Sequence, residues 1–114
     1  MTQILRKELL KTALGGHSVT NVDIREITLE PGQQSGRHLH PCAVVGYIAS
    51  GNAQMQIEGG PLQQLPKGSA FYEPAQTIIT NFGNASATEP MAFIAVYLLN
   101  GQQDLIQMLE SSNN

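Results

Sequence analysis

The sequence has few charges, one cysteine and no long apolar run. Charged residues make up 13% of the 114 residues and the net charge is -3, so the basic surface of a nucleic-acid-binding protein is missing. A single cysteine, Cys42, excludes an internal disulfide and a zinc site built from several cysteines. No apolar stretch approaches the roughly 18 residues of a membrane-spanning helix. Because MTQILRKELLK is too charged for a signal peptide, we expect a cytoplasmic protein that binds neither nucleic acid nor membrane.

Turn-forming residues divide the chain into short segments. Eleven glycines and six prolines form clusters such as Pro31-Gly32 and Pro66-Lys67-Gly68, spaced about 8–12 residues apart with strand-forming residues between them. This pattern predicts one all-β domain over residues 1–114, an antiparallel barrel or sandwich. Helix is expected at most as one or two turns over residues 105–109.

Two segments are apolar at every position, AVVGYI at residues 43–48 and MAFIAVYLL at residues 91–99. A strand that is apolar on both faces needs cover on both faces. In a chain this small the second layer is expected to be another subunit, which predicts a homodimer. The N-terminal ILRKELLK could add a strand to the neighbouring sheet and cover its edge.

The apolar residues of segment 22–29 change phase along the strand. Val22 and Ile24 alternate in one phase, and Ile27 and Leu29 continue one residue out of phase with them. A slip of this kind predicts a β-bulge or a strand bend near residue 25.

Two of the three histidines, His38 and His40, stand as His-Leu-His, with five residues between them and the Pro31-Gly32 turn. Residues two apart on a strand point to the same face, so both imidazoles are expected to converge and could chelate a divalent first-row metal. The alternative is a pair of partly exposed strand histidines without a ligand. His17, in a Gly-Gly-His-Ser loop, is expected to be solvated.

The segment GQQSGRHLHPCAVVGYIASG, which begins at Gly32, resembles the first motif of the cupin superfamily. That motif reads Gly, five residues, His-x-His, three or four residues, Glu, six residues, Gly, and Gly32, both histidines and Gly51 fall in register with it. The later segment GPLQQLPKGSAFYEPAQTIITNFGN is similar to the second motif in its glycines and prolines and in Asn84. The resemblance covers about residues 19–99. It implies a small single-domain cupin, an antiparallel jelly-roll barrel with an N-terminal arm (1–18) and a C-terminal tail (100–114).

Two metal-ligand positions of that family are altered here. The Glu of the first motif falls on Val44 and the His of the second falls on Ile79, whereas a cupin metal is typically held by three His and one Glu. The two remaining histidines, His38 and His40, are therefore expected to hold a divalent Fe, Zn, Ni or Mn ion only weakly, with solvent completing its coordination. Cys42 or Glu73 could supply a further ligand.

Strand alternation also predicts which residues line a ligand pocket inside the barrel. The predicted lining is largely apolar, as in many small-molecule sites, and comprises Val44, Ile48, Thr77, Ile79 and Asn81. Three functions follow from these residues: binding of a small molecule without catalysis, a metal-dependent enzyme such as a dioxygenase, or a metal-free isomerase or epimerase with a histidine general base. The residue types do not name the ligand.

Overall fold

The regular structure of the chain consists of β-strands. The computed structural model describes residues 3–110, and within that range it contains nine strands and no helix. The strands are β1 (Asn21–Leu29), β2 (His38–Leu39), β3 (Ala43–Ser50), β4 (Asn52–Ile57), β5 (Leu62–Pro66), β6 (Ala70–Glu73), β7 (Ile79–Asn84), β8 (Met91–Leu99) and β9 (Gln107–Met108).

The strands form two antiparallel sheets, with the orders β1-β8-β3-β6 and β5-β4-β7-β2-β9. One core lies between them, to which the first sheet contributes Val44, Ile48 and Phe93 and the second contributes Met55 and Phe82. This is the all-β jelly-roll barrel that the sequence predicts. Among the described residues, no helix is long and apolar enough to cross a membrane.

The segment after residue 104 forms a short edge strand instead of the helical turns that its apolar residues allowed. In β9, Met108 lies opposite His38 and Gln107 opposite Leu39. The neighbouring Leu109 N–H donates to the carbonyl of Arg37 over 3.0 Å. The C-terminal segment therefore lies against the strand that carries the first histidine of the pair.

Strand β1 contains no bulge, contrary to the expectation from its change of phase. Its pairing with β8 runs without a break from Asn21 opposite Leu99 to Leu29 opposite Met91. The phase changes because Ile27 and Leu29 face the core, whereas Val22 and Ile24 lie on the outer face and are 58% and 65% exposed. The outer face of this sheet is itself apolar.

Two residues show how tightly the barrel is packed. Gly46 lies beneath the Phe71 ring, and a methyl group at Gly46 would collide with that ring. Asn84 is 2% exposed and its side-chain amide donates to the carbonyls of Glu30 and Glu89 over 3.0 and 2.8 Å. The Asn84 amide therefore ties the end of β7 to the chain segments that follow β1 and precede β8.

The N-terminal arm lies across the outer face of the β1-β8-β3-β6 sheet. Its residues 7–14 and the sheet residues Val45, Tyr47, Ile94 and Val96 line a wide groove between them. The arm has no regular secondary structure, and residues 3–13 are exposed. The apolar outer face thus has only partial cover within one chain.

Candidate metal centre

Three buried side chains from two sheets meet at one end of the barrel: His38, His40 and Glu73. His38 begins β2 and His40 follows that strand directly, so the alternation of the chain directs both rings inward. Glu73 ends β6 in the opposite sheet. All three are at most 5% exposed.

The carboxylate reaches this cluster because of the register between β3 and β6. Glu73 lies directly opposite Val44, the residue that stands where the cupin motif has its Glu. Opposite residues in an antiparallel pair have Cβ atoms about 4.5–5.5 Å apart and share one face. A carboxylate at position 73 on β6 can therefore reach the same site as a carboxylate at position 44 on β3.

One ligand atom from each residue faces the other two. Nε2 of His40 lies 2.8 Å from Oε2 of Glu73, and Nε2 of His38 lies 3.6 Å from Oε1. The three donor atoms all lie within 4.8 Å of one another. Two donors bound to the same metal at about 2.1 Å stand roughly 3.0–3.4 Å apart in tetrahedral or octahedral geometry. The spacing therefore fits a first-row metal ion after small side-chain adjustments.

Backbone carbonyls fix the tautomer of each imidazole. Nδ1 of His38 lies 2.8 Å from the carbonyl oxygen of Gly36, and Nδ1 of His40 lies 2.7 Å from that of Leu105. A carbonyl only accepts, so each Nδ1 carries the proton and each neutral ring directs the lone pair of Nε2 at Glu73. Metal-binding histidines are oriented by this kind of second hydrogen bond.

The resulting arrangement needs a positive charge at its centre. Two Nε2 lone pairs and a carboxylate point at one another, and Oε1 of Glu73 is buried without a hydrogen-bond partner in the range 3–110. A single proton shared between His40 and Glu73 would leave Oε1 of Glu73 and Nε2 of His38 without a hydrogen-bond donor. One divalent cation serves all three groups.

Without a metal, His40 and Glu73 hold each other in their charged forms. Burial by itself lowers the pKa of His40, but the hydrogen bond and the charge of Glu73 outweigh burial and raise that pKa above its ordinary value. Burial by itself raises the pKa of Glu73, but the neighbouring imidazoles of His38 and His40 outweigh burial and lower that pKa. Metal and proton therefore compete for the same atoms.

A cavity of about 150 Å³ adjoins the cluster. Three phenylalanine rings close part of its wall, and aliphatic residues from both β1 and the C-terminal segment form the rest. The lining residues are Ile27, Leu29, Ser35, His38, His40, Val44, Phe71, Glu73, Phe82, Phe93, Ala95, Tyr97 and Ile106. The cluster thus borders a mainly apolar cavity.

The structure brings Glu73 to the two histidines and leaves the other candidate ligands elsewhere. Cys42 is buried and lines a separate small recess together with His17. Burial raises the pKa of the Cys42 thiol, which opposes the thiolate form that binds metals. Of the two possible further ligands, Glu73 therefore joins the two histidines as a third candidate donor.

The cavity coincides only in part with the predicted pocket lining. Val44 lines it, whereas Ile48 and Ile79 pack fully buried in the core and do not border it. Thr77 lies between β6 and β7, and its hydroxyl donates to the Ala75 carbonyl. Asn81 lies away from the cavity and its amide donates to Gln34.

A bulge in β7 explains the position of Asn81. The β4–β7 register passes from Gln56 opposite Asn81 to Ile57 opposite Ile79, so one residue of β7 is unpaired. An inserted residue reverses the alternation of faces along a strand. Ile79 and Phe82 consequently both point inward, and Asn81 between them points outward.

Sequence reasoning missed the aromatic wall and the role of Leu105. Phe71, Phe82 and Phe93 pack on one another with ring centroids 4.6–5.9 Å apart. Strand alternation in the sequence is enough to predict that each of these side chains points inward. Their contact with one another depends on the register of three strands, which the sequence does not give. The Leu105 carbonyl carries no signal in the sequence, because every residue has one.

The fold and the cluster define a class: a small jelly-roll barrel with a buried two-histidine, one-carboxylate group beside an apolar cavity. The family model described as the cupin domain matches residues 25–97, more than half of the chain. The chain belongs to the cupin family. Among curated proteins, none matches the chain significantly in sequence.

Several solved structures share this fold. A cupin-like protein from Thermotoga maritima has 22% identity and a TM-score of 0.70 over 82% of this chain and 68% of its own. The DMSP lyase DddQ from Ruegeria pomeroyi has 15% identity and a TM-score of 0.69 over 82% of this chain and 45% of its own. An oxalate oxidase solved with the substrate analogue glycolate has 20% identity and a TM-score of 0.63 over 77% of this chain. The chain spans 45% of the length of the lyase and 46% of the length of the oxidase. At these identities the likeness concerns the fold.

Proposed function

We propose that this cupin binds a divalent first-row metal through Nε2 of His38, Nε2 of His40 and the carboxylate of Glu73, and binds a small organic molecule in the adjoining cavity. The observation that carries the proposal is the buried Glu73 Oε1, which has no hydrogen-bond partner within the described range and faces two imidazole lone pairs. We include a cytoplasmic location in the proposal, in keeping with the single cysteine.

The donor set favours iron(II) among the candidate metals, with zinc, nickel and manganese as alternatives. Two histidines and one carboxylate with open positions are typical of non-haem iron(II) oxygenases. A bound metal of this kind supplies a Lewis acid and, if it is iron, a redox centre. The carbonyls of Gly36 and Leu105 orient the two histidines, and the phenylalanine rings make part of the cavity wall apolar.

A metal titration tests this proposal directly. Chelator-treated protein, made without a polyhistidine tag, is titrated with Co²⁺ and followed by its visible absorption. We expect one ion per chain, and we expect His40→Gln to abolish the signal. His17→Gln is the matched control, because His17 lies in the recess with Cys42, and it should titrate like the wild type. A wild-type titration no stronger than that of His40→Gln would refute the proposal.

Catalysis at this metal is a second candidate function. Three protein donors leave positions open for substrate, and two proteins with this fold, the DMSP lyase and the oxalate oxidase, are enzymes by name. Dioxygen consumption by the Fe²⁺-loaded protein, measured with small organic acids, supports an oxygenase if it depends on Glu73. Binding of these acids without dioxygen consumption would support the binding function and not catalysis.

A metal-free acid–base enzyme is a third candidate, favoured by the 2.8 Å contact between His40 and Glu73. An isomerase or epimerase needs a base oriented in this way. Exchange of a substrate proton that persists in excess chelator would support it, and exchange that stops in chelator would exclude it.

A further inference from the structure

The cavity beside the metal centre is divided into a polar end and an apolar end. The polar groups that border it are those of the cluster together with the hydroxyls of Ser35 and Tyr97. Val44 lies opposite Glu73 and Tyr97 and so marks the polar end. Phe71 and Phe93 lie further along the strands, opposite Gly46 and Ile48, and pack against Phe82. A ligand that binds there meets hydrogen-bonding and ligating groups at one end only.

The size of the cavity limits the apolar part of a ligand. Its volume is about 150 Å³, and an engineered apolar cavity of roughly 150 Å³ in another protein binds a benzene ring. Gly46 and Phe71 leave no further depth below, because the ring packs directly against the glycine. A ring or a short branched chain fits, and a longer chain does not.

The charges around the cavity limit the ligand to a single negative charge. No lysine or arginine of the described chain borders it. Arg25 pairs with Asp23 and is 56% exposed, and Arg37 pairs with Glu58. A divalent ion held by one carboxylate and two neutral imidazoles has one net positive charge. A second negative charge on the ligand would lie unpaired in an apolar space, at high cost.

We infer that the site selects monocarboxylic acids, or equivalent monoanions, with a compact apolar body no larger than one six-membered ring. This inference rests on the proposed function, because the metal binds the head group. The carboxylate lies at the cluster, and the body packs between Val44, Ala95 and the phenylalanine rings. Ala95 sets the width of the cavity, since it is 2% exposed and carries the smallest side chain in the wall.

The test begins with the zinc-loaded protein and isothermal calorimetry. Zinc binding is measured first, so that failure of the metal site is recognised separately from failure of the selectivity. Benzoate is expected to bind at least tenfold more tightly than acetate, because the ring removes apolar surface from water. Butanoate is expected to bind at least tenfold more tightly than succinate, which has the same chain length and a second charge. Equal affinities in either pair, with zinc bound, would overturn the inference.

A matched pair of variants locates the selectivity. Ala95→Val narrows the cavity and should weaken benzoate binding at least fivefold, with zinc affinity within twofold of the wild type. Ala53→Val is the control, because Ala53 is also a buried strand alanine but does not border the cavity. Benzoate binding that is equal in both variants contradicts the inference. If Ala95→Val does not fold, Val44→Ala is used instead, because it widens the same wall. The ratio of 4-methylbenzoate affinity to benzoate affinity should then be at least fivefold higher than in the wild type. An unchanged ratio contradicts the inference.

Discussion

At the scale of single residues, the proposed metal centre needs one carboxylate, which either of two facing strand positions could supply. Val44 and Glu73 lie opposite each other, so exchanging them should preserve the centre. Glu73→Val is expected to lower metal affinity by more than about 100-fold, the upper end of what loss of even an outer-shell partner costs. Val44→Glu combined with Glu73→Val should recover most of that loss.

The exchange is checked by Co²⁺ titration of the single and double variants, with thermal unfolding to confirm that each folds. Equal affinities for the Glu73→Val variant and the wild type would remove Glu73 from the ligand set. A double variant that binds Co²⁺ no more tightly than Glu73→Val would contradict the claim that positions 44 and 73 are interchangeable.

Ile79→His is expected to raise metal affinity without any change at Val44. Ile79 lies opposite His38 at zero exposure, and it occupies the position of the missing cupin histidine. Because Glu73 already supplies a carboxylate, a third imidazole completes four protein donors. Competition against a chelator of known affinity measures the gain, which should be tenfold or more, and unchanged competition would contradict it.

The His40–Glu73 contact predicts how the stability of the metal-free protein depends on pH. The raised pKa of His40 stabilises the fold below its ordinary value of 6.5, and this contribution is lost as pH rises through the raised pKa. The lowered pKa of Glu73 stabilises the fold above its ordinary value of 4.5, and this contribution is lost as pH falls through the lowered pKa. The pair therefore contributes most between pH 4.5 and 6.5.

Thermal unfolding of the chelator-treated protein across this range checks the pH prediction. Glu73→Gln serves as the control, and its melting temperature should show a weaker maximum. Identical profiles for the two proteins would mean that the contact contributes nothing to stability.

At the scale of residues, the sequence predicts the histidine pair, but it does not decide whether Cys42 or Glu73 is the further ligand. The alternation of a strand is enough to place His38 and His40 on one face. Glu73 needs the β3–β6 register as well, because only that register puts it opposite Val44. Asn81 shows the limit of alternation, since one bulged residue in β7 reverses its direction.

At the scale of elements, the C-terminal segment 104–110, which contains β9, borders the proposed metal centre. The Leu105 carbonyl accepts from Nδ1 of His40, Ile106 borders the cavity and Met108 pairs with His38. Arg37 also donates to the carbonyl of Glu110. Residues 104–110 therefore orient His40 and form one side of the cavity.

Truncation after Gln103 is expected to lower metal affinity by about 10–100-fold, the usual cost of losing an outer-shell partner. The barrel should still fold, because its core residues other than Leu105 precede the truncation. Co²⁺ titration and far-ultraviolet circular dichroism measure both effects. Wild-type metal affinity in a folded truncation would show that the segment after Gln103 does not orient the site.

The elements themselves were predictable to different degrees. Strands β3 and β8 follow from unbroken apolar runs, and the β3–β4 hairpin follows from Gly51, which has φ +77°. Strand β9 was not predictable, because two residues of backbone pairing carry no periodic pattern. In β1 the phase change suggested a bulge, although the cause is an apolar outer face.

At the scale of the whole molecule, that outer face predicts assembly. Val22, Ile24 and Tyr47 on this face are at least 40% exposed, and Leu5 of the arm is 89% exposed. We propose that a second copy covers this face and that the two arms exchange across the dimer, since an exposed apolar surface of this kind is typical of an interface.

Sedimentation equilibrium is expected to give the mass of two chains at micromolar concentration. Ile24→Asp should shift the protein to the mass of one chain. Leu62→Asp is the matched control, because Leu62 is 49% exposed on a strand of the other sheet, and it should remain dimeric. A monomeric wild type, or a dimeric Ile24→Asp variant, would contradict this arrangement.

The central claim, a metal held by His38, His40 and Glu73, is tested most directly by anomalous diffraction from crystals of the Co²⁺-loaded protein at the cobalt absorption edge. The account predicts one strong anomalous peak per chain, about 2.0–2.2 Å from both Nε2 atoms and from a carboxylate oxygen of Glu73. A crystal without a peak among these three atoms, or with its only peak at another site such as the recess of Cys42 and His17, would contradict it.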